Sequence, residues 1–315
     1  MPNRLVRLCV ILSSLFLLHP GQLHAAPYLR SWIQEYDLES TDAQEAKAIG
    51  IDSRGNVIVA GSAEKPGSSE EALYIAKYDG FTGEIIWERT LTATNDMVPT
   101  SLAIDSTDSI VIVGTRNDSS DEDFFIMKVN SVGNNASGFS IPIVYDGTAG
   151  GFDSPAKVIV DSDDNIIVVG ISFVESGGQG DFYTRKLSPT GTLLGEDRYN
   201  PFNRNDAATD VAVDSDDNII VVGSVTNSDS DIGIQFVIRK LNTSVNPIWT
   251  RLITTSSEGD GDGGATAVAV DAADNVFATG LFTNVSNHHG YYTIKYDVNT
   301  FARRDSFYTI TQFFT

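Results

Sequence analysis

The sequence predicts an all-β fold, a β-propeller of four-stranded antiparallel blades, with five blades. A ten-residue motif at 161–170 recurs without change at 214–223, and related copies lie at 52–61, 105–114 and 271–280. Successive copies start 53, 56, 53 and 57 residues apart, whereas every copy has the same length. A unit of fixed length between spacers of variable length indicates a rigid repeat joined by loops, and repeats of about 40–50 residues are typical of propeller blades.

Each repeat is predicted to contain four strands. The first strand precedes the motif, as at 48–51, and the second is the β-branched run inside the motif, as at 219–222. The third strand runs from a large apolar residue to a basic one, and its copies are Tyr74 to Lys77, Phe125 to Lys128, Phe182 to Arg185, Phe236 to Arg239 and Tyr292 to Lys295. The fourth strand is the least regular. Because the second strand is apolar at consecutive positions, each sheet must be buried on both faces, and packing blades around an axis provides this.

The repeats define a single propeller domain over residues 26–315. They run approximately over 46–98, 99–154, 155–207, 208–264 and 265–315. An extra outer strand is predicted near 31–37, and residues 306–310 have the pattern of another. Either one of the two completes the last blade while the other caps an edge, or the chain is part of a larger ring.

Residues 1–25 are predicted to be a secretory signal peptide. Arg4 and Arg7 precede an apolar run at 8–18, and Ala25 ends a short stretch suited to cleavage. The run is shorter than the roughly 20 apolar residues that span a bilayer, so we expect no transmembrane span in the mature chain. The protein is therefore expected to be secreted, on the cell surface or in the periplasm.

Charge and rare residue types exclude several classes of function. The chain has 42 acidic and 21 basic residues, and its net charge of −21 argues against nucleic acid as a partner. The only cysteine, Cys9, lies in the predicted signal peptide, and cleavage would leave His288 and His289 as the only histidines. Thiol nucleophiles, disulfides and Cys/His zinc sites are therefore excluded from the mature chain.

Two local patterns resemble known propeller families. The copy at 52–61 reads Asp-Ser-Arg-Gly-Asn-Val-Ile-Val-Ala-Gly and resembles the bacterial SBBP-type β-propeller repeat. That resemblance implies a secreted or surface protein and assigns no activity. Residues 79–87 are similar to the Asp-x-x-Thr-Gly-x-x-x-Trp motif of quinoprotein-like propellers, in which the Trp braces neighbouring blades. Only this copy is complete, so no quinone cofactor is expected.

The acidic and glycine ends of the motif are predicted to serve the fold. Asp caps a tight turn by accepting bonds from its own backbone, and Gly permits a close backbone approach or a positive φ at a strand end. The residues concerned are Asp52, Asp105, Asp161, Asp214, Asp271, Gly61, Gly114, Gly170, Gly223 and Gly280.

The variable loops are predicted to lie on the opposite face of the ring and to carry the binding groups. The residues of this predicted ligand-binding face are Asp121, Glu122, Asp123, Asp229, Asp231, His288 and His289. In the loop at 258–264, Asp260 and Asp262 are predicted Ca²⁺ ligands, because carboxylates are hard oxygen ligands and the intervening glycines let the chain fold around an ion.

The sequence favours a non-catalytic binding or scaffold module for an extracellular or periplasmic glycan, peptide or protein, with calcium assisting. Two alternatives stay open. A glycosidase-like five-bladed enzyme would need two carboxylates about 5–10 Å apart beside a pocket. A periplasmic assembly factor of quinoprotein-like shape is the third interpretation. The near-identical repeats argue against the enzyme, because an active site needs different residues in different blades.

Overall fold

In the computed structural model, the described residues are 31–36, 44–64, 71–91, 96–117, 122–140, 142–147, 151–174, 178–228, 233–253, 263–283 and 289–297. Within these ranges the strands form five antiparallel sheets, which confirms the all-β propeller fold. The same ranges hold no helix that is long and apolar enough to cross a membrane. The predicted signal peptide at 1–25 and the strand predicted at 306–310 lie outside them.

The sheets follow one another along the chain and are numbered here as blades 1 to 5. Blade 1 contains β1 (Gln44–Ile51), β2 (Val57–Glu64), β3 (Glu71–Tyr78) and β4 (Ile85–Leu91). Blade 2 contains β5 (Asp96–Ile104), β6 (Ile110–Asn117), β7 (Glu122–Val129) and β8 (Ile143–Tyr145). Blade 3 contains β9 (Ser154–Val160), β10 (Ile166–Phe173), β11 (Gly180–Leu187) and β12 (Leu193–Tyr199). Blade 4 contains β13 (Asp206–Val213), β14 (Ile219–Thr226), β15 (Ile234–Leu241) and β16 (Pro247–Ile253). The described part of blade 5 contains β17 (Gly263–Val270), β18 (Val276–Thr283) and β19 (His289–Tyr296).

The turn between the first two strands of each blade is closed by the Asp that begins the motif. In blade 3, Asp161 Oδ1 accepts hydrogen bonds from the backbone N–H groups of Asp163 (3.0 Å) and Asn165 (2.8 Å). The same two bonds, from residues two and four positions further on, are accepted by Asp52, Asp105, Asp214 and Asp271. Because one carboxylate satisfies two backbone groups at set distances along the chain, the turn cannot change length.

A lysine of the third strand neutralises this turn Asp in four blades. Lys186 Nζ lies 2.7 Å from Asp161 Oδ2, and both side chains are almost fully buried. The other pairs are Lys77 with Asp52, Lys128 with Asp105 and Lys240 with Asp214. Burial by itself raises the pKa of Asp52, but the hydrogen bonds from Lys77 and Asn56 outweigh burial and lower the pKa to about 2.

The strand register corrects the alignment of these basic residues. The sequence pattern aligned Arg185 and Arg239 with Lys77, whereas strand pairing places Lys186 and Lys240 opposite the second residue of the second strand, as it does Lys77. Three of the lysines also donate to a backbone carbonyl in the next blade. These bonds join Lys77 to Ser131 (3.2 Å), Lys128 to Pro189 (3.0 Å) and Lys186 to Thr243 (3.0 Å). The lysine therefore links its own turn to the following blade.

A second set of polar contacts, here called rungs, joins each turn to the turn of the next blade. Ser106 donates from its backbone N–H (2.8 Å) and its hydroxyl (2.6 Å) to the carboxylate of Asp164. The four rungs are Ser53–Asp108, Ser106–Asp164, Ser162–Asp217 and Ser215–Asp274. All four acceptors have a φ between 58° and 61°. Asp tolerates this left-handed conformation better than most residues, so the turn can point its carboxylate at the preceding blade.

Apolar side chains of the second strands fill the interfaces between successive blades, here called seams. In β14, Ile220 and Val222 pack against Val276 and Ala278 of blade 5, while the alternate residues of β14 pack against blade 3. Four such clusters occupy the seams between blades 1 and 2, 2 and 3, 3 and 4, and 4 and 5. Each fully buried Val or Ile contributes about 1.5–3 kcal/mol. The second strands of blades 2, 3 and 4 are thus buried on both faces.

The Gly that ends the motif lets the first two strands approach closely. A Cβ atom on Gly170 would lie 2.2 Å from the carbonyl oxygen of Ser154, and one on Gly223 would lie 2.0 Å from that of Ala207. The strand register shifts at both places. The same clash with the first strand would occur at Gly61, Gly114 and Gly280. Close approach, and not a positive φ, is therefore the reason for Gly at these positions.

The outer edges of blades 1 and 2 are joined by a Trp that lies over a Gly. Trp87 Nε1 donates to the carbonyl oxygen of Ser131, and Arg89 Nη1 donates to that of Gly133, both at 3.1 Å. A Cβ atom on Gly133 would lie 2.8 Å from the Trp87 ring. The fourth strand of one blade therefore packs on the outer turn of the next.

Residues 31–36 repeat these contacts on blade 1. Trp32 Nε1 donates to Gly80 O (3.1 Å), and Gln34 Nε2 donates to Gly83 O (2.7 Å). A Cβ atom on Gly83 would lie 2.6 Å from the Trp32 ring. The segment therefore occupies the position of the outer strand of a blade preceding blade 1. It coincides with the extra outer strand that the sequence predicts, although 31–36 form no strand pairing.

Replacing Asp161 with Asn keeps an oxygen for the two turn bonds but removes the charge opposite Lys186. We expect the free energy of unfolding at pH 7 to fall by about 3–5 kcal/mol, because the buried ammonium loses its counter-ion. Urea denaturation measures the loss. The matched control is Asp163→Asn in the same turn, where the side chain is exposed and a change within about 0.5 kcal/mol is expected. Equally small effects of the two variants would contradict this role of the ion pair.

Candidate functional site

The loop face of the propeller is the side on which the first strands begin and the second strands end, and the turn face is the opposite side. Glu122 and Asp123 begin β7 on the loop face, and His289 begins β19 there. The other predicted ligand-binding residues, Asp121, Asp229, Asp231 and His288, lie outside the described residues, as do the predicted Ca²⁺ ligands Asp260 and Asp262. Calcium binding at 258–264 therefore stays a prediction.

The two described acids of β7 lie at the seam between blades 2 and 3. Glu122 is half-buried, and burial raises the pKa of its carboxyl group. Its backbone oxygen accepts a hydrogen bond from the N–H of Asp153 (2.7 Å). Asp123 is only 4% exposed. These residues therefore belong to a contact between blades as well as to the predicted binding face.

Asp123 lies in a group of three carboxylates with Asp146 and Asp153, whose oxygen atoms all lie within 4.8 Å of one another. Asp153 is fully buried, and its oxygens accept the N–H groups of Gly147 (2.6 Å) and Phe173 (3.0 Å). Burial raises the pKa of Asp153 although these bonds lower it. The main role of Asp153 in this arrangement is thus to hold two loop segments of the seam together. Neither Asp146 nor Asp153 is among the binding residues that the sequence predicts.

The next seam repeats this arrangement with one change. Asp181, Asn200 and Asp206 occupy the positions of Asp123, Asp146 and Asp153, as the strand register shows. Asn200 Nδ2 donates to Asp181 Oδ1 (2.6 Å), and Asp206 Oδ1 accepts the N–H of Thr226 (2.8 Å).

Asp206 has one oxygen without a hydrogen-bond partner. Pro201 stands where Gly147 stands in the preceding seam, and because proline has no N–H, Asp206 Oδ2 is left buried and unpaired. The side chain is 1% exposed. Burial, with a smaller contribution from the charge of Asp181, raises the pKa of Asp206 to about 7. This carboxyl group therefore changes charge near neutral pH.

A surface depression of about 660 Å³ lies at the outer edge of the seam between blades 1 and 2. Strand β4 forms one wall and the outer turn of blade 2 the other. The lining residues are Trp87, Glu88, Arg89, Val132, Gly133, Asn134 and Asn135. It does not contain any of the predicted ligand-binding residues.

The walls of the depression are held by the contacts of the Trp and of the turn. Asn130 Oδ1 accepts the N–H of Asn134 (2.9 Å), which fixes the turn. Glu88 accepts the Tyr74 hydroxyl (2.8 Å). The side chains of Asn134 and Asn135 are exposed. The depression thus combines an aromatic surface with two exposed amides, whereas the Glu88 carboxylate lies on the other side of β4.

The same Trp and Gly are absent at the seam between blades 3 and 4. Gly195 takes the position of Trp87, and Val245 takes that of Gly133. A Cβ atom on Gly195 would lie 3.0 Å from Val245 Cγ2, so the valine fills the space that the indole fills elsewhere. Val245 does so at a φ of 64°, which is strained for a β-branched residue. The Trp-lined depression is therefore not a feature of every seam.

No protein-family model and no curated protein sequence matches the chain. Among solved structures, an apocarotenoid oxygenase mutant from Synechocystis is 13% identical, with a TM-score of 0.48 over 84% of this chain and 62% of that chain. A gluconolactonase from Xanthomonas campestris is 10% identical, with a TM-score of 0.36 over 75% and 79% of the two chains. A Hadza microbial sialidase is 9% identical, with a TM-score of 0.43 over 80% and 58%. The chain spans less than two thirds of the length of the oxygenase, and no activity is inferred from these similarities.

Replacing Asp206 with Asn is expected to stabilise the protein at pH 8. The folded-state pKa of about 7 exceeds the ordinary Asp value of 3.8, so ionisation penalises the folded state progressively as the pH rises from about 4 to about 7. Removing the charge abolishes this penalty, so the free energy of unfolding at pH 8 rises by about 2–4 kcal/mol. Below pH 8, the free energy of unfolding of the variant depends less on pH than that of the wild type. Urea denaturation at pH 5 and at pH 8 measures both effects.

The matched comparison is Asp153→Asn in the preceding seam. Both oxygens of Asp153 accept a backbone N–H, and Asn can accept only one of them. We expect a loss of about 1–3 kcal/mol at pH 8, opposite in sign to the effect at Asp206. Destabilisation by both variants at pH 8 would show that the missing N–H of Pro201 does not set the behaviour of Asp206.

Proposed function

We propose that this is a secreted, non-catalytic binding module that recognises a glycan in the depression between blades 1 and 2. The observation that carries the proposal is the composition of its walls, which present one indole and two exposed amides. The predicted signal peptide supports an extracellular or periplasmic location. Calcium assistance through the loop at 258–264 remains part of the proposal.

A sugar ring fits the chemistry of these walls. Its C–H faces are apolar and stack on an aromatic ring, while its hydroxyl groups donate to and accept from amides. Trp87 supplies the aromatic surface, and Asn134 and Asn135 supply amides that each offer donors and an acceptor. The volume of about 660 Å³ lies in the range of about 300–1,000 Å³ that is common for small-ligand sites.

The acid content of the depression favours binding over hydrolysis. A glycosidase uses two carboxyl groups on either side of the scissile bond, whereas Glu88 is the only carboxylate among the lining residues. The Glu88 carboxylate accepts the hydroxyl of Tyr74, which packs against Trp32 and Tyr36 on the side of blade 1 that points away from blade 2. The glycosidase-like alternative would therefore need a second site.

The double variant Asn134→Ala, Asn135→Ala is expected to weaken glycan binding by about tenfold or more, because each amide contributes hydrogen bonds worth about 1 kcal/mol. A glycan array identifies the ligand, in calcium and in chelator, and calorimetric titration with the best glycan measures the affinity. The matched control is Asn246→Ala, because Asn246 has the same turn position in blade 4, where no Trp lies beside it. We expect no change in affinity there.

Two results would overturn the proposal. One is a wild-type protein that binds no glycan on the array in either buffer. The other is an equal affinity of the wild type and the double variant, which would place the glycan elsewhere. Thermal unfolding of each variant shows whether a loss of binding reflects a loss of folding.

A further inference from the structure

Four seams are filled among the described residues, and two sheet faces at the ends of the array are exposed. The face of blade 1 that points away from blade 2 carries Ile49 and Ile51, which are 71% and 67% exposed. The face of blade 5 that points away from blade 4 carries Leu281 and Tyr291, which are 63% and 54% exposed. We call these the leading face of blade 1 and the trailing face of blade 5.

The residues at equivalent positions in the inner blades are half-buried or buried in a seam. Leu102 and Ile104 of β5 correspond to Ile49 and Ile51 in the strand register. They pack against Gly50 of blade 1, where a Cβ atom would lie 2.7 Å from Leu102 Cδ1. Ile49 and Ile51 are thus seam side chains that no blade covers, whereas Trp32 and Tyr36 pack on Tyr78 and Tyr74 in the outer part of the same face.

Residues 31–36 show that the leading face is shaped to take a preceding blade. Trp32 and Gln34 make the contacts that Trp87 and Arg89 make from β4 to blade 2. An outer strand is therefore already placed where a preceding blade would end. The described part of blade 5 has the complementary property, because it contains three strands and no outer fourth strand.

The rungs stop at these two faces. In blade 1, Gly55 occupies the position where the following blades carry the acceptor Asp. In blade 5, Ala272 occupies the position where the preceding blades carry the donor Ser. A contact from blade 5 to blade 1 would therefore lack both halves of a rung, unlike the four seams inside the chain.

The trailing face is also less apolar than its counterparts. Thr279 and Thr293 stand where Val222 and Ile238 of blade 4 are buried in a seam. The Thr279 hydroxyl donates to the carbonyl oxygen of Tyr292 (2.7 Å). The hydrogen-bonding capacity of this side chain is therefore satisfied while the face is exposed to water. Such a face suits a contact that forms and separates, since the apolar area it offers is smaller than inside the chain.

We propose that the trailing face of blade 5 of one molecule packs on the leading face of blade 1 of a second copy, head to tail. Ile49 and Ile51 of the second copy pack on Ala269 of the first copy. Leu102 and Ile104 pack on Gly50 in the same way within one chain. Residues 31–36 of the second copy lie beside β19 of the first copy and supply the outer strand of blade 5. Closure within one chain would bring the same two faces together, whereas the structure leaves both exposed.

Thiol cross-linking distinguishes the two arrangements, because Cys9 is the only native cysteine. In a Cys9→Ser background, protein with Ile49→Cys is mixed with protein with Ala269→Cys and treated with a short thiol cross-linker. We expect a covalent dimer from the mixture. The control pairs Ala269→Cys with Ile248→Cys, since Ile248 is 51% exposed on the outer strand β16 and should give no dimer. A cross-link that forms only within the Ile49→Cys, Ala269→Cys double variant overturns the proposal, and so does the absence of any cross-link.

A second variant strengthens the contact instead of trapping it. Gly55→Asp with Ala272→Ser restores both halves of the missing rung. Gly55 has a φ of 82° and no atom within 4 Å of a Cβ placed on it, so an Asp fits there as at the other rungs. We expect self-association to tighten by about tenfold, as two added hydrogen bonds allow. Sedimentation velocity measures it, with Gly55→Asp alone as the control, and an unchanged dissociation constant contradicts the proposed geometry.

Discussion

The propeller depends on a buried ammonium group that serves two blades at once. Lys77, Lys128 and Lys186 each neutralise the Asp of their own turn and donate to a carbonyl in the outer turn of the next blade. A buried cation that loses its partner costs several kcal/mol, so neither turn can move independently of the other. The rungs act in the same direction, from one blade to the next, as do the contacts of Trp32 on blade 1 and of Trp87 on blade 2. The blades are therefore coupled through polar contacts of fixed geometry as well as through apolar area.

This coupling separates the parts of the chain that maintain the fold from those that offer chemistry. The repeated Asp, Lys and Ser residues of the turn face are bonded to one another and have little capacity left for a ligand. The loop face and the outer edge differ from blade to blade, and the unusual features lie there. Pro201 removes one N–H and leaves Asp206 with an unpaired oxygen, and Trp87 with Gly133 lines a depression, whereas Val245 lies against Gly195 at the equivalent place between blades 3 and 4. Departures from the repeat, rather than the repeat itself, thus define the candidate sites.

The sequence predicts the local features of this fold well and the long-range ones poorly. The turn Asp and the Gly inside the second strand lie nine residues apart in one hairpin, so a fixed spacing reveals them. The lysine partner could not be placed in the same way, because the loop before the third strand varies in length and Arg185 and Lys186 are adjacent. Asp146 and Asp153 belong to the same group only because two blades meet there. The depression likewise needs a Trp from one blade and a turn from the next, and no local pattern marks such a pair.

The exchange between Trp87–Gly133 and Gly195–Val245 has a consequence for how such an array can be rebuilt. In each pair a large side chain on one partner is matched by a small one on the other, and the two partners belong to different blades. A whole blade moved to another position would separate each residue from its match, and two large side chains would collide or two small ones would leave a void. A segment that begins with the fourth strand of one blade and ends with the outer turn of the next keeps the matched volumes together. The interchangeable part for duplication or recombination is therefore this staggered segment, which does not coincide with a blade.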